Sequence, residues 1–212
     1  MGNENWARAE RHALSDALVD AGPDAPTLCQ GWTTGDLAAH LVIREHRPDA
    51  APGIMIPLLA GHTEKVRLRF RDSGPYAELV ERFRAGPPAW SPFALSVMDA
   101  AANTTEYFVH HEDVRRAREG WEPRELPAAL EEHLWRRLRA ARLVLRRLPV
   151  EITFADPRGR TQRVTKGGKL VTVRGPASEL TLWALGRKGA ARVEMTGEAE
   201  AINVLNQGRW RL

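Results

Sequence analysis

The sequence predicts an all-α N-terminal part followed by a smaller α+β part. Three observations carry this prediction. Up to residue 148, apolar residues recur every three to four positions between Pro and Gly breaks. At Pro149 the pattern changes to short alternating runs, VEITFA, TQRVT and LVTVRG, joined by turn residues. The length of 212 residues, 43% hydrophobic and 27% charged, suits one large domain or two small ones, with a core that needs no covalent staples. The expected domains are therefore 1–148 and 149–212.

The elements follow in order. Residues 3–21 place Trp6, Ala9, Ala13, Leu14, Ala17 and Leu18 at helical spacing, and Gly22-Pro23 ends the run. After a loop over 23–32, Thr33 or Thr34 caps a helix with Asp36 in its first turn, running to Arg47 before Pro48. The segment PDAAPGIMIPLLAG is too broken by Pro and Gly to be one element. Residues 61–72 are ambiguous. Val66, Leu68 and Phe70 alternate with arginines as in a strand, while Thr63, Val66 and Phe70 fit a helical face, and helix is preferred. Residues 75–85 read as helix and 86–93 as loop. Residues 96–118 are the longest run without Pro or Gly. In 127–148, Leu130, Leu134, Leu138, Ala141, Leu145 and Leu148 form one apolar stripe. Beyond Pro149, strands are expected over 150–155, 161–165, 170–175 and 191–197, and helices over 176–186 and 198–207, with KGGK (166–169) as a hairpin turn.

Charge and cysteine usage exclude several classes. Lys+Arg is 31 against 27 Asp+Glu, and a net +4 implies no polyanion partner by itself. Only Lys65, Lys166, Lys169 and Lys188 are lysines, a bias that reads as codon composition before nucleic-acid binding. Cys29 is the only cysteine, so no intrachain disulfide forms, and a reducing, cytoplasmic setting is expected. No apolar stretch approaches the ~18 residues of a membrane span, so no membrane partner is expected. The start, MGNENWARAERHAL, lacks a signal peptide's apolar core, and Trp6 stands where myristoylation expects Ser or Thr. The helix WRRLRAARLVLRRL could present a basic stripe to phosphates. With Trp135 as its lone aromatic and no recognition motif, it reads better as a solvated or interdomain face. Ser178 has no His or Asp pattern beside it, and KGGK is no phosphate cradle.

The chemistry concentrates in EYFVHHED (106–113). Glu106 and His110 are spaced i, i+4 and project together from a helix, with Asp113 on the same stripe. A carboxylate and an imidazole one turn apart make half of a metal site, and a third donor from a facing helix would complete a two-His-one-carboxylate set. Of seven histidines (His12, His40, His46, His62, His110, His111, His133), the best third donor is His40, flanked by Ala38, Ala39, Leu41 and Val42. The competing reading is a core histidine beside a surface acid–base pair. Arg44 and Arg47 follow His40 at i+4 and i+7 and are candidates to hold a carboxylate, or simply a helix C-terminal cationic end. Asp113 is a candidate to orient a ligand imidazole, or a capping carboxylate. His111 and Glu112 turn away and are expected exposed. Cys29 looks structural, and Trp32 a core anchor.

Two stretches, TLCQGWTTGDLAAHLV and NTTEYFVHHEDVRRA, together resemble the metal-binding domain of mycothiol-dependent maleylpyruvate isomerases, of the DinB-like four-helix-bundle superfamily. The shared features are Gly31-Trp32-Thr33 ahead of Asp36 and His40, then Glu106, His110 and Asp113. The tail GPASELTLWALGRKGAARVEMTGEAEAI resembles the small sterol-carrier-like α+β domain that follows this bundle. The resemblance implies a divalent metal held by His40, Glu106 and His110. Zinc is the usual ion, and nickel, iron and manganese are alternatives. It also implies mycothiol as thiol cofactor, activated at the metal's open position, and a small electrophilic substrate. Isomerisation would proceed by thiolate addition, rotation and elimination, with the C-terminal domain helping to enclose the thiol. The function read from the sequence is thus a metal- and thiol-dependent isomerase or S-transferase. The alternative is a non-catalytic metal- or small-molecule-binding carrier or sensor. Oligomeric state, metal identity and substrate are not encoded in any recognisable motif.

Overall fold

A computed structural model describes residues 6–54, 56–91, 96–208 and 210. The expectations for residues 3–5, Met55 and 92–93 lie outside the described residues. The chain forms two compact units, Met1–Pro123 and Arg124–Leu212.

The first unit is helical: α1 (Trp6–Ala21), α2 (Thr34–His46), α3 (Ala60–Arg71), α4 (Tyr76–Ala85) and α5 (Ser96–Arg115). The broken segment between α2 and α3 forms two 3-10 turns, Ala51–Ile54 and Pro57–Leu59. Helix α2 starts on a reciprocal capping box. The Thr33 hydroxyl accepts from the Asp36 N–H, and the Asp36 carboxylate accepts from the Thr33 N–H. Eleven of its 13 residues are buried, so α2 is wrapped by its neighbours rather than laid on a surface. Helices α1, α3 and α4 pack against it, and α5 packs along α1. The core joins Leu14 and Leu18 of α1, Leu37, Leu41 and Val42 of α2, Leu79, Val80 and Phe83 of α4, and Tyr107 and Val114 of α5. The ambiguous stretch 61–72 is helix, because Thr63, Val66 and Arg67 are buried on one helical face.

Two charged residues interrupt the apolar stripe of α1. Arg11 donates to Glu45 Oε1 at 3.0 Å and to the Tyr107 hydroxyl at 2.7 Å. Glu10 Oε2 lies 3.2 Å from His111 Nδ1. Buried charges persist in a core only with such partners. His111 and Glu112, expected at the surface, are therefore both buried: the first on Glu10, the second held by Arg115 and Arg116.

The second unit contains α6 (Ala128–Arg137), a 3-10 turn (Leu138–Ala141), α7 (Arg142–Leu145), β1 (Val150–Ala155), β2 (Thr161–Arg163), β3 (Lys169–Arg174), α8 (Ala177–Ala184), β4 (Glu194–Gly197) and α9 (Ala199–Gln207). The expected single helix over 127–148 is thus tightened in its middle. Residues i and i+3 eclipse in a 3-10 turn, so Leu138 and Ala141 continue the buried stripe of Leu130, Leu134 and Leu145. The expected boundary at Pro149 falls inside this unit. Helix α6 packs against α8, and Glu131 of α6 accepts from the Ser178 hydroxyl at 2.6 Å and the Ser178 N–H at 3.1 Å, capping α8. Apolar periodicity reports a helix; it does not report which core the helix joins.

The strands form a sheet in the order β2-β1-β3-β4, antiparallel except for the parallel pair β1–β3. KGGK is therefore not a hairpin turn, since β2 and β3 lie on opposite sides of β1. The connection passes the start of β1, where the Thr165 hydroxyl accepts from Ile152 N–H at 2.8 Å and donates to Val150 O at 2.7 Å. Gly168 then comes so close that a Cβ there would sit 2.4 Å from Pro149 O, at φ +84. Only glycine passes at that distance and backbone angle. Phe154, Trp183 and Trp210 stack edge-on in this unit's core.

Candidate metal centre

Helices α2 and α5 meet through side chains. One turn of α5 projects Glu106 and His110 together, and His40 reaches them from the middle of α2. Glu106 Oε1 lies 3.3 Å from His110 Nε2 and 3.6 Å from His40 Nε2. The ligand atoms of all three lie within 4.8 Å of one another. These separations exceed the ~2.7–2.9 Å of a charge-assisted hydrogen bond. The two distances to Glu106 lie near the edge of about 3.3 Å of a tetrahedron with zinc-to-ligand bonds of ~2.0–2.1 Å. Both histidines are buried, and the Glu106 side chain keeps 30% exposure.

The surroundings fix the imidazoles. His110 Nδ1 is 2.9 Å from Asp113 Oδ2, so Nε2 is the nitrogen turned to Glu106. A carboxylate behind a ligand histidine sets its tautomer and ring plane. Asp113 is fully buried. Its Oδ2 also accepts from the Cys29 thiol at 3.1 Å, and Cys29 Sγ lies 3.8 Å from His110 Nδ1. Cys29 thus stands behind His110, away from Glu106. The Trp32 ring lies tilted against His40, centroids 5.1 Å apart, and the Arg67 guanidinium lies 4.9 Å from the Trp32 ring centroid. Arg67 is in turn paired with Asp36 and Glu64.

Of the two arginines read from α2, one reaches the cluster. Arg44 Nε is 3.5 Å from Glu106 Oε1, and its guanidinium donates to Asn103 Oδ1. Arg47 does not. It leaves the helical backbone at φ −127, ψ 82, pairs with Asp49 at 2.7 Å and covers Phe70. The i+7 position exists only while the helix continues, and α2 ends at His46. Cys29 and Trp32, expected as scaffold, both border the cluster. The available signal was that their turn leads directly into the cap of the His40 helix.

The electrostatics polarise the cluster. Burial drives the His40 imidazole below its ordinary pKa, and His110 and Arg44 add to this against the Glu106 carboxylate. Burial alone would also lower His110, but Asp113, Cys29 and Glu106 outweigh it and hold it well above the ordinary histidine range. Burial would raise Glu106, yet the two histidines and Arg44 hold it well below the usual carboxylate range. Without a cation, the cluster keeps a proton on His110 beside an ionised Glu106.

The chain shares this fold with a mycothiol-dependent maleylpyruvate isomerase. Its crystal structure superposes with a TM-score of 0.55 at 15% sequence identity, over 92% of each chain. A histidine-to-alanine mutant described by the same name superposes at 0.53, again at 15% identity and 92% of each chain. No family model matches the sequence, and no curated protein matches it. The likeness therefore resides in the fold, which spans both units of the chain.

Elsewhere, the second unit carries a cleft of about 210 Å³ among Ala128, Glu131, Glu132, Asp156, Arg158, Arg160 and Ala177. Within it, Arg160 holds Glu132 and Asp156 at 2.6 Å each, and Glu131 caps α8. Among the described residues, no helix is long and apolar enough to cross a membrane.

Proposed function

We propose that this chain is a metal-dependent enzyme that uses a low-molecular-weight thiol of the mycothiol kind to isomerise a small electrophile, or that couples this thiol to it through sulfur as an S-transferase. The observation that carries this reading is the convergence of His40 Nε2 and His110 Nε2 on Glu106 Oε1, at 3.6 and 3.3 Å, with all three donor atoms within 4.8 Å of one another. Three protein donors with an open position are the pattern of a catalytic rather than a structural zinc site. The shared fold with a mycothiol-dependent isomerase supports the thiol. Zinc suits the donor set; nickel, iron(II) and manganese accept the same ligands.

In this reading His40, Glu106 and His110 hold the ion. Bound there, zinc supplies an open position at which a thiol loses its proton near neutral pH. Asp113 keeps the His110 proton on Nδ1 and so leaves Nε2 free to ligate. Arg44, beside Glu106, presents a guanidinium to the negatively charged end of an electrophile. For an isomerase, such a thiolate would add to a conjugated double bond to give an enolate, the resulting single bond would rotate, and elimination would return the thiolate. For an S-transferase, a proton from solvent would quench the enolate and the new carbon–sulfur bond would stay.

The test is metal content by elemental mass spectrometry on protein without a polyhistidine tag, followed by a screen of electrophiles with and without mycothiol. The expected result is about one zinc equivalent in the parent and under a tenth in His40→Ala and Glu106→Ala, given that loss of a ligand leaves two. Turnover should require both metal and thiol. A parent that takes up no metal after incubation with zinc overturns the proposal.

A further inference from the structure

We infer that the turn over residues 27–32 is the positioning element of the metal centre, setting one imidazole through Cys29 and the other through Trp32. The inference rests on the metal reading above.

The turn is itself tightly held. Thr27 Oγ1 accepts from the Cys29 N–H at 3.2 Å and donates to Trp32 O at 2.9 Å, and the Trp32 N–H donates to Cys29 O at 2.9 Å. Gly31 sits at φ +79, which lets the chain reverse there. The Leu28 N–H donates to Asp113 O at 3.0 Å, pinning the turn to α5 at the residue that backs His110. From this one turn two side chains diverge. The Cys29 thiol shares Asp113 Oδ2 with His110 Nδ1, so a single carboxylate oxygen is fixed from two sides. The Trp32 ring lies against His40, backed by the Arg67 guanidinium. The two ligand histidines belong to different helices, whose spacing would otherwise float with the packing between them. A turn bonded to α5 and continuing into the cap of α2 ties the two rings to one rigid reference. Cys29 meets His110 on its Nδ1 side, away from Glu106, and Trp32 meets the His40 ring, so both are placed to act through the histidines.

The test measures zinc affinity of the full chain by competition with a chromogenic chelator, alongside the visible spectrum of the cobalt(II) form. Cys29→Ala should weaken zinc binding about fivefold, the worth of one ordinary hydrogen bond. Trp32→Ala should do so by a similar factor, about fivefold for one aromatic contact. Cys29→Ser and Trp32→Phe, which keep a donor and a ring, should stay within about twofold of the parent. In an Asp113→Asn background, Cys29→Ala should cost nothing further while Trp32→Ala keeps its full effect, because only the first acts through that carboxylate. Both alanine variants should alter the cobalt bands, which a remote stability effect would not move. Parental affinity in both alanine variants overturns this inference alone. So does a sulfur-to-cobalt charge-transfer band that disappears in Cys29→Ala, since Cys29 would then be a ligand. If either alanine variant fails to fold, equal weakening in the Ser or Phe variant overturns it. A parent that binds no zinc overturns the metal reading first and this inference with it.

Discussion

His110 Nδ1 and the Cys29 thiol converge on the same oxygen of Asp113, at 2.9 and 3.1 Å. That oxygen decides which face of the imidazole is free. It also decides the proton inventory of the cluster, because Asp113 is the strongest of the influences that hold His110 above the ordinary histidine range against its burial.

Metal uptake should therefore release a proton. His110 is held protonated at neutral pH in the metal-free protein, and a ligating imidazole must be neutral. Titration calorimetry with zinc at pH 7, in buffers of different ionisation enthalpy, should give about one proton released per ion. Asp113→Asn should lower that number and weaken affinity about 10- to 100-fold, as loss of a carboxylate behind a ligand histidine does.

Arg44 and Arg47 should separate cleanly in activity. Arg44 lies 3.5 Å from Glu106, whereas Arg47 is turned to Asp49. With an anionic electrophile, Arg44→Ala should lower kcat/KM by about tenfold or more, the worth of a charge-assisted hydrogen bond. Arg47→Ala should stay within about twofold, as the loss of an exposed ion pair does. Equal effects of the two would remove Arg44 from the site.

Asp36 should anchor the acid limb of stability. Its burial would raise the carboxyl, but Arg67, the Thr33 N–H and Arg71 together lower it. A carboxylate whose folded pKa is depressed contributes stability above its unfolded value near 3.8, and loses it as pH falls through the folded value. Asp36→Asn should cost about 2–4 kcal/mol at pH 7, because it removes the α2 capping box and half of a buried ion pair. Urea titrations of parent and variant should converge below pH 3.8. A pH-independent gap would mean that the loss is steric.

Two glycines with the same backbone angle should differ in cost. Gly168 and Gly159 have φ +84 and +83, but a Cβ meets Pro149 O at 2.4 Å in the first and nothing within 4 Å in the second. Gly159→Ala should cost about 1–2 kcal/mol, the strain of a left-handed residue. Gly168→Ala should exceed that by about 2 kcal/mol or more, because backbone must move. Denaturant midpoints of the two variants decide it.

The sequence by itself determined the local order of the chain and the shape of half the site. Helices and strands follow from spacing and from Pro and Gly punctuation, which act within a few residues. The i, i+4 pair of Glu106 and His110 is a property of one helix, so it was legible before any fold. His40 was legible as a polar residue among Ala38, Ala39, Leu41 and Val42. Only the tertiary structure decided what crosses between elements. It placed His40 on Glu106, ended the arginine stripe before Arg47, buried His111 on Glu10, and brought Cys29 behind His110 across 81 residues of chain. It also packed α6 on α8 and sent the Gly167-Gly168 connection past β1. These are long-range pairings, set by which faces find complementary partners once helices pack. Periodicity shows that a face is apolar or charged; it carries no record of the surface that will cover it.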